Sequence, residues 1–592
     1  MTAVASPNAV RAVRRTADLP FLAEQAYGDA VAWRFKQDGE WRTRSYAEVA
    51  ELVLDLASGF VHAGLRAGER VCVLANTRPE WTAVELAVLA AGGIVVPIYP
   101  SSTPEEIAWV AGDSGAAIVV AEDESQCAKV DAVRGGLPEL RAVFTIDPAG
   151  DRQAVAGLRD AGRTSPLAAE LDARRAAIRP GDPSLIIYTS GTTGPPKGCV
   201  LTNTNLVALC RLAEETRIDA MTGTVYLFLP LAHVFAQIVM FSTMYRGGEL
   251  AYFGGDMAAI VPELAEVRPT FLPSVPRVFE KIYTLVTSAV PREQLDQAVA
   301  LGLEVRRRRA AGEPVPPEMA AAFEAADVVF AKVRAVFGGR LAQALSGAAP
   351  ISRDVLRFFH AAGVPVLEGY GMTESTAVGT LNTLDSFKLG SVGATGLAGL
   401  EMKVAEDGEL LMRGPHVFAG YWRNDEATAA AIRDGWLHTG DLGEIDADGF
   451  VTITGRKKDI IITAGGKNIA PANVENVLRQ SRWISHAVLF GDRKPYCVAL
   501  ITLDADEIVP WATARGLPSD VESLVGHPEV RALVQQVVDE ANSHFASVSQ
   551  VKKFVLLTRD LSQEEGELTP TLKVKRAVVH RVHAELYEGL YE

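Results

Sequence analysis

A chain of 592 residues exceeds what one hydrophobic core can organise, so at least two domains are expected. Its 48% hydrophobic and 22% charged content excludes a disordered polymer. A formal net charge of −15 at pH 7 argues against nonspecific nucleic-acid binding, so an anionic ligand must be held by a local cationic pocket.

The five cysteines (Cys72, Cys127, Cys199, Cys210, Cys497) show no Cys-x-x-Cys spacing, which fits a reducing cytoplasm and argues against a disulfide framework or a standard zinc site. Arg11, Arg14 and Arg15 are not followed by an apolar stretch of signal-peptide length, because Asp18 and Pro20 interrupt it. In chain order, Val49, Leu52, Leu56 and Phe60 at helical spacing predict a helix over 46–63. Short buried strands are predicted at 70–74, 94–98 and 116–120, with a helix over 79–89. The greasy region 83–99 contains Glu85, Gly92, Gly93 and Pro97 and reads as a buried helix and strand, not a membrane span. This alternation predicts an α/β fold of parallel sheets covered by helices.

The Ala-, Glu- and Arg-rich region 293–336 predicts helices broken at Pro314, Pro316 and Pro317, with Arg306 to Arg309 on a solvated face. The stretch Gly455-Arg456-Lys457-Lys458-Asp459 lies between a strand-like 451–453 and a second apolar run at 460–462. It marks the expected boundary between a large N-terminal domain, 1–457, and a smaller α+β domain, 458–592. In the latter, helices are predicted at 471–478 and 528–546 and strands at 487–490 and 498–503.

The most telling stretch runs from Leu185 to Asn203, LIIYTSGTTGPPKGCVLTN. An apolar strand delivers Thr189, Ser190, Gly191, Thr192, Thr193 and Gly194, and Lys197 and Gly198 follow. Glycines let backbone N–H groups approach an anion, hydroxyls add donors and the lysine adds charge, so the loop suits a polyphosphate. The P-loop of nucleotide hydrolases wants Ser or Thr after Gly-Lys; Lys197 instead follows Pro196 and precedes Gly198, so that motif fails.

Further candidates follow. In Gly369-Tyr370-Gly371-Met372-Thr373-Glu374 a ring between glycines can stack on a base and Glu374 can ligate magnesium, or Thr373 and Glu374 simply open a helix. Asp441, in Trp436-Leu437-His438-Thr439-Gly440-Asp441, can accept ribose hydroxyls or make an ordinary Asp turn. His233 lies among apolar residues, where a core role is usual. Gly465 and Gly466 allow close approach by a slender ligand, and equally a plain strand-to-helix connection at Pro471. Lys573 and Lys575 near the end read, on composition, as solvent-exposed.

Taken together these segments resemble the signatures of the adenylate-forming (AMP-binding) superfamily, which comprises acyl-CoA synthetases, luciferases and peptide-synthetase adenylation domains, along nearly the whole chain. The resemblance implies that the 189–194 loop and Lys197 hold the triphosphate of ATP. It implies that Tyr370, Gly371 and Thr373 meet the adenine, with Gly347 in Ser346-Gly347-Ala348-Ala349-Pro350 as the facing wall. It further implies that Glu374 binds Mg2+, that Asp441 grips the ribose and Arg456 the ribose and phosphate, and that His233 sits beside the carboxylate being activated. Lys573, matched by its spacing to Arg576, or as the alternative Lys575, would bridge carboxylate and α-phosphate, although Leu572 stands where the widespread motif has glycine. Lys458 is implied as the hinge of a mobile C-terminal domain, after whose rotation Gly465 and Gly466 line the approach of the CoA thiol.

Residues 273–280, the helical insert up to Phe337 and the ending Leu568-Thr569-Pro570-Thr571 resemble the long-chain fatty acyl-CoA synthetase branch. Its implied substrates are a fatty acid, ATP and CoA. Val234, Phe235, Ile238, Phe241 and Met244 on one predicted helix are candidates to line an acyl tunnel, or are plain core. The alternatives are a fatty acyl-AMP ligase, a ligase for shorter or aryl acids, or a non-catalytic nucleotide-binding scaffold. A cytoplasmic location is expected; the sequence leaves open peripheral membrane contact and oligomeric state.

Overall fold

The computed structural model describes residues 9–189, 195–287, 290–569 and 573–592. Two sheets organise the N-terminal part. The first runs, edge to edge, Gly420–Tyr421, Lys197–Thr202, Pro183–Thr189, Ile94–Ile98, Arg70–Leu74, Ala116–Ala121 and Ala142–Thr145. Its centre is parallel, and Ala116–Ala121 (AAIVVA) is buried at every position, as a strand covered on both faces must be. The second has eight strands, with Val366–Tyr370, Gln343–Ser346, Phe271–Ser274 and Thr224–Leu227 in parallel succession near one end. A five-stranded antiparallel sheet carries Trp436–Ile445 against Val451–Arg456.

Local sequence accounts for the element ends. The helix Tyr46–His62 opens on a capping box in which Ser45 and Glu48 satisfy each other's free backbone N–H groups. The strands predicted at 70–74 and 94–98 occur at those bounds, and the helix predicted at 471–478 is Pro471–Leu478. The helix predicted at 528–546 ends earlier, at Asn542. The insert forms Arg292–Ala310 and Pro317–Val336, with the prolines between them. Its arginines are not all a solvated face. Arg307 and Arg308 pair with Glu304, whereas Arg306 turns inward, donates to the Ala361 carbonyl at 2.8 Å and lies 5.7 Å from the Phe323 ring centroid.

From Ile461 onward the chain builds separate cores around a three-stranded sheet, Ile484–Phe490, Cys497–Leu503 and Val551–Leu556. Among the described residues no helix is long and apolar enough to cross a membrane.

The strand Val366–Tyr370 ends in a turn that only glycine fits: a Cβ on Gly371 would lie 2.1 Å from the Ala377 carbonyl oxygen. Gly371→Ala must open this turn against backbone, so it is expected to lower the thermal midpoint by an amount equivalent to about 1–3 kcal/mol. An unchanged melting curve would contradict the packing described.

Candidate functional site

Segments far apart in the chain come together here. Strands Pro183–Thr189 and Lys197–Thr202 are antiparallel, with Thr189 opposite Lys197, so these two residues flank the mouth of the glycine- and hydroxyl-rich connection. Ser190, Gly191, Thr192, Thr193 and Gly194 themselves lie outside the described residues. The stem is pinned by Trp109, whose Nε1–H donates to the Pro196 carbonyl at 2.8 Å. The Lys197 ammonium lies 5.2 Å from the centroid of the Tyr421 ring, a cation–π distance. Tyr421 in turn donates its hydroxyl to Glu374 Oε1 at 2.8 Å. It reaches that position because Gly420–Tyr421 pairs with Val200 and Cys199 at the sheet edge.

Glu374 sits in a single 3-10 turn, Thr373–Ser375, and not at the start of a longer helix, because Thr376 and Ala377 take φ of 51° and 75°. The Phe418 N–H donates to the Glu374 carbonyl at 2.9 Å, and the Thr376 hydroxyl to the His416 carbonyl at 2.6 Å. Glu374 is thereby buried with one carboxylate oxygen committed to Tyr421.

Asp441 lies opposite Arg456 in the antiparallel pair and is joined to it, Oδ1 to Nε, at 2.9 Å. Its Oδ2 accepts the Tyr370 hydroxyl at 2.6 Å, and its N–H donates to Thr439 Oγ1 at 3.0 Å. Burial and the neighbouring carboxylate keep the Tyr370 phenol protonated far above neutrality. Gly347 follows the strand Gln343–Ser346, which pairs with Val366–Tyr370, and donates its N–H to Ser274 O at 3.2 Å. The Phe235 ring lies 3.5 Å from where a Gly347 Cβ would be.

His233 caps the helix Val234–Arg246, its Nδ1 accepting the Phe235 N–H at 3.2 Å. Burial, and secondarily the Lys573 ammonium, lower its pKa to about 3, so it is neutral at physiological pH with its proton on Nε2. Lys573 itself is exposed at its surface yet has protein mass close around it, and it feels Arg456, Asp441 and Glu374; that desolvation and Arg456 prevail and lower its pKa. Water still reaches its side chain, as at a cleft rim. Thus Lys573, more than a hundred residues beyond Arg456, shares one electrostatic neighbourhood with His233, Glu374, Asp441 and Arg456.

Other predicted residues lie elsewhere. Lys457 N–H donates to the Gly440 carbonyl at 2.8 Å, and Asp459 and Ile460 both return to the Arg456 carbonyl, leaving Lys458 exposed in a tight turn. Gly465 and Gly466 form the exposed tip between Ile461–Ile462 and Asn468–Ile469, with Gly466 at φ 73°. Among the described contacts this tip touches neither Glu374, Asp441 nor Lys573. Of the proposed tunnel residues, Val234, Ile238, Phe241 and Met244 pack in the main core, while Phe235 is partly buried against Gly347. Sequence reasoning missed Tyr421 and Trp109. The signal for Tyr421 was its place in Gly420-Tyr421-Trp422, an aromatic pair at a glycine outside any hydrophobic period.

Two family models divide the chain between them: the AMP-binding enzyme matches residues 22–422, and the AMP-binding enzyme C-terminal domain matches 458–592. The long-chain-fatty-acid–CoA ligase FadD15 of Mycobacterium bovis is 39% identical to this chain, covering 99% of each. The long-chain-fatty-acid–CoA ligase ACSBG2 of Xenopus laevis is 34% identical over 96% of this chain and 82% of its own. Among solved structures, the A domain of carboxylic acid reductase from Segniliparus rugosus, in complex with AMP and a co-purified carboxylic acid, has a TM-score of 0.73 at 20% identity, covering 98% of this chain and 94% of that one. The structural likeness shows the shared fold, and the family model and full-length relatives show the descent: the chain belongs to the AMP-binding enzyme family.

Proposed function

We propose that the protein is an ATP-dependent, AMP-forming acid–thiol ligase that makes long-chain acyl-CoA from a fatty acid, ATP and CoA through an acyl adenylate. The observation that carries this is the convergence of Lys573 with Glu374, Asp441, Arg456 and His233. The first step sets a carboxylate against a phosphate that is itself negative, so its barrier is chiefly repulsion and alignment. A carboxylate oxygen attacks the α-phosphorus, the α–β P–O bond breaks, and pyrophosphate leaves. In this reading the Lys573 ammonium bridges the two anions. Thr189 and Lys197, with the intervening loop, hold the β- and γ-phosphates. The adenine lies between Tyr370–Gly371 and the Gly347 wall, beside Thr373. Asp441 and Arg456 take the ribose, Asp441 exchanging its bond from Tyr370 for the ribose hydroxyls. His233, neutral, contributes a hydrogen bond near the acid without adding charge.

Glu374 fits a magnesium ion. It is one buried carboxylate with one oxygen already engaged, and the described residues contain no cluster of three metal-ligating side chains. Such a sparse donor set suits an ion held mostly by substrate phosphates and water. When bound, the ion would offset phosphate charge.

For the second step the CoA sulfur attacks the acyl carbonyl and AMP departs. The division 1–457 and 458–592, with Lys458 as hinge, serves this step by carrying Lys573 away and bringing Gly465 and Gly466 in. Support comes from the separate cores and from the exposed turn at Lys458, just beyond the last bond to Gly440. The acyl class rests on the full-length relatives, named as long-chain-fatty-acid–CoA ligases.

Lys573→Ala is expected to abolish acid-dependent ATP–pyrophosphate exchange while largely sparing thioester formation from supplied acyl adenylate. Equal loss of both half-reactions would reject the bridging role. Asp441→Ala should raise the KM for ATP about ten-fold or more, the scale of a lost charged hydrogen bond, with little effect on the KM for the acid. An unmoved ATP KM removes Asp441 from the site. A chain-length series of CoA-dependent AMP release should peak at long-chain acids; AMP release that ignores CoA would instead indicate an acyl-AMP ligase.

A further inference from the structure

We infer that the Arg576–Glu475 ion pair is a positioning clamp that fixes how far Lys573 reaches into the cleft, an inference that rests on the ligase reading above. Arg576 lies three residues after Lys573, at the start of the helix Arg576–Val582. Its Nη2 donates to both Glu475 carboxylate oxygens at 2.7 Å, and its Nη1 to the Leu489 carbonyl at 3.0 Å. Glu475, on the helix Pro471–Leu478, also accepts the Leu489 N–H at 2.7 Å. One guanidinium therefore ties the chain leaving Lys573 to both a helix and a strand. The pair is largely removed from water, with side-chain exposures of 20% and 12%, so losing either partner strands a charge.

The other side of the segment is pinned as well. Lys575 N–H donates to the Glu567 carbonyl at 2.7 Å, and the buried Glu567 carboxylate is held by Arg559 at 2.6 and 2.9 Å and by His583 at 2.7 Å. Among the described residues the Lys573 backbone bonds to Thr569: Thr569 N–H donates to its carbonyl at 2.8 Å and its own N–H to Thr569 Oγ1 at 3.0 Å. Its ammonium has no hydrogen-bond or ion-pair partner among the described residues. The side chain thus takes its place from the pins, of which Arg576–Glu475 is the one that ties it to both a helix and a strand. An ammonium whose work is bridging two anions over a few ångströms loses that work when its root shifts by about 1 Å.

The test uses full-length protein and two readouts. The first is the pH dependence of Lys573 acylation by acetic anhydride, followed by mass spectrometry without ligands. In the wild type its midpoint should lie below about 10.4, the ordinary lysine value. Arg576→Met and Glu475→Gln should each return it toward that value. The second is the pair of half-reactions. Both variants should lose at least about ten-fold in ATP–pyrophosphate exchange, yet keep thioester formation from supplied acyl adenylate within about three-fold. Equal loss of both half-reactions, or a Lys573 midpoint and exchange rate that neither variant moves, overturns the clamp. If the wild type itself exchanges with no acid, the ligase reading fails, and the labelling midpoint alone still decides the clamp.

Discussion

The cleft is organised around a costly burial that has been made tolerable: two carboxylates, Glu374 and Asp441, are buried, and each has a hydroxyl or cation placed on it. Arg456 neutralises Asp441 at 2.9 Å, Tyr421 and Tyr370 each spend a hydroxyl on one carboxylate, and Lys573 brings an ammonium from the far end of the chain. A buried anion without such partners would be protonated or would unfold its surroundings. The net charge of −15 makes this local arrangement necessary, since the protein as a whole repels an anionic nucleotide and an anionic acid alike.

Ion pairs join the two parts of the chain. Besides Lys573, Arg277 pairs with Asp504, and Lys281 approaches Asp506 at 3.8 Å, each joining the helix Pro276–Thr287 to the C-terminal part. Such exposed pairs contribute on the order of 0–1 kcal/mol each, enough to bias an orientation and too little to lock it. By contrast, Arg576–Glu475 and Glu567–Arg559 lie wholly within the C-terminal part and would travel with it.

Much of the fold could be read from local signals. Helical spacing and β-branched runs gave bounds at Arg70–Leu74, Ile94–Ile98 and Pro471–Leu478 because neighbours along the chain decide those elements. The loop at 189–194 stands out as a candidate in the sequence because glycines, hydroxyls and a lysine sit side by side, and residues 190–194 lie outside the described residues. What stayed hidden depends on partners distant in sequence. Tyr421 meets Glu374 across 47 residues, Trp109 meets Pro196 across 87, and Arg576 meets Glu475 across 101; no spacing rule links such pairs. Arg306 was misjudged for the same reason, its inward turn being set by Ala361 on another helix. The convergence of Lys573 with His233 and Asp441 was legible only through the family resemblance, since composition alone would leave a C-terminal lysine in solvent.

In the proposed reaction Lys573 stands between the acid and the nucleotide. A crystal structure with a non-hydrolysable acyl-adenylate analogue measures it directly. The expected result is the Lys573 Nζ within about 3 Å of both the acyl and the phosphate oxygens, with Asp441 turned from Tyr370 to the ribose. A bound analogue with Lys573 directed to solvent and Asp441 still on Tyr370 would contradict it.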